Sequence, residues 1–245
     1  LIGIIFGASG SAEYFYLAGF DKSINKYVED KDTKKELKAA LKDYKDAVKE
    51  YEKKRNQQLK DFKAANLDQN TDPQWYKDHF ESFMKLKKDR QEKAIAMRLA
   101  VQPKITDEEW KNIVAAANKT VEKDQEKMKK KEAKQNEKAR DDKLTGTAKE
   151  YINDEEKSNG VDNAYNEFRQ DVQDLESSYL KINVVDNKLL SNKNATEKEM
   201  RDLADSLNEM REQMYSEYLA FLGKLREVTT PEEWEAIMKD LNKAI

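Results

Sequence analysis

The sequence predicts an all-α protein in which an N-terminal membrane-spanning helix is followed by two repeated antiparallel three-helix (coiled-coil-like) units. Composition is the first observation behind that expectation. Of 245 residues, 39% are charged and 38% apolar, with three prolines, seven glycines and no cysteine; ordinary globular chains carry roughly 25% and 45–50%. Such a chain suits long helices with solvated faces, and it excludes disulfide-stapled and cysteine-zinc architectures. The second observation is that four of the seven glycines fall within residues 1–20, a stretch with a single charge. The third is a second half that echoes the first at a constant offset of 124 residues. The 46 basic and 49 acidic side chains leave a net charge of −3, so no global attraction to nucleic acid or anionic lipid is expected.

Residues 1–20, LIGIIFGASGSAEYFYLAGF, carry Glu13 and no Lys or Arg. As one helix this run measures about 30 Å, the thickness of a bilayer core. Gly3, Gly7 and Ser11 recur every four residues, the spacing that lets membrane helices pack closely. Tyr14, Tyr16 and Phe20 follow near the end, where aromatic rings favour the interface. Glu13 is then an intramembrane or interfacial acid, with the solvated interfacial placement the simpler one. The expectation is a transmembrane anchor over 1–20 and a juxtamembrane linker over 21–32. A cleaved signal segment, with Gly10-Ser11-Ala12 as a small-residue cleavage site, and a buried core helix or hairpin are the alternatives. The Lys- and Asn-rich, cysteine-free remainder places the body on the extracytoplasmic side, in the bacterial periplasm.

The body divides into a first helical repeat over 33–143 and a second over 144–245. Residues 106–119 read TDEEWKNIVAAANK and residues 230–243 read TPEEWEAIMKDLNK, with Trp110 and Trp234 as the repeat-motif aromatics. Upstream, Leu37, Leu41, Tyr44, Val48 and Tyr51 correspond to Val161, Tyr165, Phe168, Val172 and Leu175. Their alternating steps of four and three form a seam for a neighbouring helix. Six Thr-x-x-Glu/Gln boxes mark helix starts, at Thr33, Thr71, Thr106, Thr147, Thr196 and Thr230. Pro73 and Pro231 fall in first turns, where a missing N–H is harmless. Helices are therefore expected at about 33–66, 72–101 and from 106, then at about 161–187, 197–227 and 231–245. Residues 122–143 hold almost no apolar side chain and read as a solvated extension of the third helix.

Little in the chain suggests chemistry. The single histidine, His79, aligns with Leu203 and is expected to flank the core. A zinc site or a Ser-His-acid triad lacks its partners, and no phosphate-binding glycine loop follows residue 20. No catalytic residue, metal or cofactor is assigned. Trp110 and Trp234 each occupy the fourth helical position after a Thr cap, suited to a bulky plug at the bundle end. Only Ile105, and not Thr229, supplies an apolar staple partner. A surface aromatic gripping a partner is the functional alternative.

The segments Ile105-Thr106-Asp107-Glu108-Glu109 and Thr229-Thr230-Pro231-Glu232-Glu233 resemble the L-T-x-x-Q motif of small periplasmic helical chaperones. Both end in Glu rather than Gln, and the likeness covers ten of 245 residues. It implies a soluble client-binding or stress-response protein. The residues themselves point to a non-catalytic scaffold or accessory subunit of a membrane protein complex. Its partners are other subunits of that complex, and the lipid bilayer through residues 1–20, with no nucleic acid and no small-molecule substrate. A helical pore-forming protein is a third reading.

Overall fold

The structure, a computed structural model, describes residues 15–136, 151–152 and 154–244. Among the described residues the regular elements are helices, with no strand. They are α1 (Phe20–Tyr27), α2 (Lys31–Asn66), α3 (Pro73–Val101), α4 (Asp107–Asn136), α5 (Glu155–Ser191), α6 (Glu197–Val228) and α7 (Pro231–Ala244), with a short 3₁₀ turn at Gln102–Lys104 before α4. Helices α5, α6 and α7 each begin 124 residues after α2, α3 and α4 respectively.

Local chemistry sets these starts. Thr106, Thr196 and Thr230 form reciprocal boxes: each Thr hydroxyl accepts from the backbone N–H three residues on, at 3.3 Å. The Glu there accepts in return from the Thr backbone N–H, at 2.7–2.8 Å. Two expected boxes give way to aspartate. Asp30 accepts from Thr33 N–H, so α2 starts before Thr33. Pro73 at the first helical position makes Asp72 the cap of α3, because the residue before a proline is held extended. The displaced Thr71 hydroxyl donates to Ala65 O instead. Thr147 lies outside the described residues. Helix α5 begins six residues earlier than expected, on the carboxylate of Asp154. It tolerates Gly160 in its second turn because Val228 approaches there: a Cβ at Gly160 would meet Val228 Cγ1 at 3.3 Å.

Six and five residues join α2 to α3 and α5 to α6, so each pair folds back antiparallel. Helices α3 and α6 also pack on each other, which makes them the central pair; α1 sits against α2 and α4, and α7 against α2. The core has two clusters. One gathers Phe62, Phe83, Phe168, Tyr218, Phe221 and Trp234; the other gathers Phe20, Leu37, Leu41, Val101, Trp110 and Leu203.

The membrane-spanning helix expected over 1–20 is corrected by this packing. Residues 15–19 are turns and irregular chain, and Gly19, at φ 69°, precedes α1 in a left-handed conformation. Phe15, Leu17 and Phe20 are at most 1% exposed and join the cluster of Leu37, Leu41 and Trp110. No helix of the described residues is long and apolar enough to cross a membrane. The single-pass localisation and the bilayer contact through 1–20 are therefore withdrawn. Hydropathy measures only the avoidance of water, and a protein core meets that demand as lipid does. Gly3, Gly7, Ser11 and Glu13 lie outside the described residues. The linker expected over 21–32 is largely α1, whose Ile24 is buried, followed by Val28, also buried.

Candidate functional site

Trp110 and Trp234 each anchor a cluster of hydrogen bonds at the end of a helix from the other half of the chain. Trp110 stands in the first turn of α4, and its indole N–H donates to Ser191 O at 2.8 Å. The Arg98 guanidinium lies 4.0 Å above its ring and donates through Nη2 to Leu190 O and Asn192 O, both at 2.9 Å. Gln102 extends the clasp by donating to Ala195 O at 3.0 Å. Leu190, Ser191 and Asn192 close α5, whose last carbonyls have no partner within their own helix, and Ala195 lies in the connection that leads to α6. A cation there also opposes the negative end of the helix dipole. Burial pulls Arg98 down to about 9, so it still carries its charge at neutral pH.

Trp234 makes the second clasp, at the far end of the molecule's chain order. Its indole N–H donates to Asn66 O at 2.8 Å. The Arg226 guanidinium lies 5.5 Å from its ring and donates to Thr71 O at 2.6 Å. The Asn66 side chain accepts from Tyr218 OH at 3.0 Å and donates to Asn242 Oδ1 at 3.0 Å. Asn242 donates to Lys63 O at 2.8 Å. Helix α2 thus ends on residues of α6 and α7, as α5 ends on residues of α3 and α4. Both tryptophans are buried, at 4% and 0% exposure, and neither is presented to a partner.

Between the two core clusters lies a buried polar layer. On α3 the first cluster stops at Met84 and the second resumes at Ala94; Lys87 and Gln91 fall between them. On α6, Asn208 and Arg211 occupy the same junction. Asn208 Nδ2 donates to Gln91 Oε1 at 2.8 Å, and Gln91 returns a bond at 3.3 Å. Arg211 Nη1 donates to Asn208 Oδ1 at 3.1 Å, and Lys87 Nζ lies 5.4 Å from the Phe83 ring. Lys87 and Arg211 are themselves 124 residues apart.

His79 is half-buried, stacked on Trp75 at 4.7 Å and on Phe62 at 5.9 Å. Burial lowers its pKa, against the opposing pull of Asp61. No group of three or more His, Asp or Glu is placed to hold a metal ion among the described residues. Glu109 has a structural duty. Partial desolvation pushes its carboxyl up, but bonds from Thr106 and from the Glu29 N–H outweigh that and hold it below its ordinary value. It therefore ties the α1–α2 junction to the start of α4.

The sequence singled out the tryptophans but missed Arg98, Arg226, Asn66 and the Gln91–Asn208 pair. The one available signal was cationic or amide residues interrupting the apolar seams of α3 and α6. Set against known proteins, the chain matches no family model, no curated protein and no solved structure, so its function is read from its own geometry.

Proposed function

We propose that the protein is a non-catalytic helical scaffold or accessory subunit that binds other proteins, built from two copies of one three-helix unit. The observation that carries this reading is the crossed pair of clasps. Trp110 of the first copy holds the end of α5 in the second, and Trp234 of the second holds the end of α2 in the first. Support for the copies comes from the common offset of helix starts and from Asp30 and Asp154, which cap α2 and α5 at that same spacing. Buried Val28 and Ile152 keep the spacing as well. Lys88 pairs with Glu212, its own counterpart 124 residues on, at 3.3 Å. A residue meeting its counterpart is the mark of an approximate two-fold relation.

Halves tied in this way make a stiff body with a charged coat. Val121, at 39% exposure, is the one exposed large hydrophobic among the described residues. Capture of unfolded clients calls for larger apolar patches, so a scaffold with specific contacts is favoured over the client-binding reading. The test is cross-linking in the cells that make the protein, then purification of the tagged full chain and mass spectrometry. Discrete protein partners in fixed ratio to the chain are expected. Recovery of the chain alone would overturn the proposal.

A further inference from the structure

A groove of about 620 Å³ runs along the α3–α6 contact. Its floor is Phe80 stacked on Tyr215, with ring centroids 4.0 Å apart, flanked by Met84 and Leu219. The α3 rim carries Lys77, Lys85 and Lys88 beside Glu81, and the opposite rim carries Glu212. The Lys88–Glu212 pair, where the two halves of the chain meet, closes one end.

Past that end, the stretch at the matching offset is shut. Arg201 contacts Glu92 there, and the Gln91–Asn208 amides bond each other. The counterparts of Arg201 and Glu92 in the groove are Lys77 and Ser216, which cannot form that ion pair. The counterparts of Asn208 and Gln91 are Met84 and Tyr215, which supply part of an apolar floor in place of an amide bond. One stretch of the α3–α6 contact is locked by its own side chains, and the other is left open.

We infer that this groove docks an amphipathic helix of a protein partner that is acidic along the edge facing α3, an inference that rests on reading the chain as a partner-binding scaffold. Charge complementarity selects the occupant. Lys77 and Lys85 are exposed and make no ion pair among the described residues, whereas Lys88 and Glu212 already satisfy each other. From Lys77 to Lys88 the rim covers three turns of helix, about 16 Å, the span over which a docked helix sets anchors at steps of three and four. Phe80, Met84 and Tyr215 are each at most 5% exposed, so the floor meets an occupant over a narrow strip. A small molecule there keeps one face in water, while a helix bridging both rims excludes it.

The probe is a labelled, covalently stapled helical peptide of about three turns, with leucine along one face and glutamate along one edge of that face. A second peptide carries lysine in place of glutamate. Each is titrated with the full chain at physiological ionic strength by fluorescence anisotropy. The acidic peptide is expected to bind about tenfold or more tighter than the basic one, and to lose about tenfold with Lys77→Glu plus Lys85→Glu. Both substitutions are at exposed positions, and a thermal melt checks the fold. Leu219→Gln, at the edge of the floor, is expected to weaken both peptides alike. Equal affinity for the two peptides, no binding of the acidic one, or an unmoved affinity in the lysine variant overturns the inference. Saturation by dodecanoate without peptide binding assigns a small amphipathic anion, and self-association abolished by the lysine variant assigns a second copy; each likewise overturns it. If that variant keeps every partner cross-linked by the unaltered chain, the groove is excluded while the scaffold reading stands.

Discussion

At the scale of residues, the interior spends its polar groups on fixing alignment. Gln91 and Asn208 are each other's partners in a buried layer, so α3 and α6 can meet in only one register without leaving an amide unbonded. Asn208→Leu is expected to destabilise the chain by about 1–3 kcal/mol, because Gln91 and Arg211 each lose a buried hydrogen bond to Asn208. Gln91→Leu combined with Asn208→Leu should recover only the part of that loss that falls on Gln91, because Arg211 still lacks the acceptor that Asn208 supplied. Urea denaturation of the single and double variants checks the cycle. His79 supplies a pH test. Its lowered pKa means that the unfolded chain takes up the proton first as acidity rises. The stability it contributes is complete above the ordinary histidine range and is lost as pH falls through its folded value. His79→Phe keeps a ring between Trp75 and Phe62 but removes the titration. The advantage of the native chain over that variant should therefore shrink between about pH 7.5 and pH 5, as read by denaturation at each pH. The tryptophans stood out in the sequence because they recur in one motif. Their partners did not, because Ser191 and Asn66 lie 81 and 168 residues away along the chain.

At the scale of elements, helix starts were more legible than their caps. Those at 73, 107, 197 and 231 fall within a residue of the sequence reading, since capping chemistry is local. Thr33 and Thr71 misled because an aspartate close by, at Asp30 and Asp72, was the better-placed cap. Residues 15–20 misled for a different reason. Their apolar run carries no mark that tells a core turn from a membrane span. The decisive feature, the left-handed Gly19, is conformational. Glycine also offers a prediction inside α6. A Cβ at Gly223 would meet nothing within 4 Å, and the residue is exposed. Gly223→Ala should therefore stabilise the chain by about 0.5–1 kcal/mol through helix propensity alone, seen as a raised denaturant midpoint with an unchanged slope.

At the scale of the whole molecule, the offset of 124 residues was visible as an apolar register, but how the halves join was not. Residues such as Leu37 and Val161 say only that each helix has a buried face. They do not say that each half closes the open helix end of the other. That exchange is the centre of the proposed architecture, and it makes a distant substitution informative. Trp234→Phe deletes one indole N–H in α7 while keeping a ring in the core, and it releases the carbonyl of Asn66 at the end of α2. Hydrogen-exchange mass spectrometry of the native chain and this variant reads the coupling directly. Faster exchange is expected in the last turns of α2 as well as in α7, with both halves unfolding in one cooperative step. Faster exchange confined to α7, or separate unfolding of the two halves, would contradict the crossed clasp.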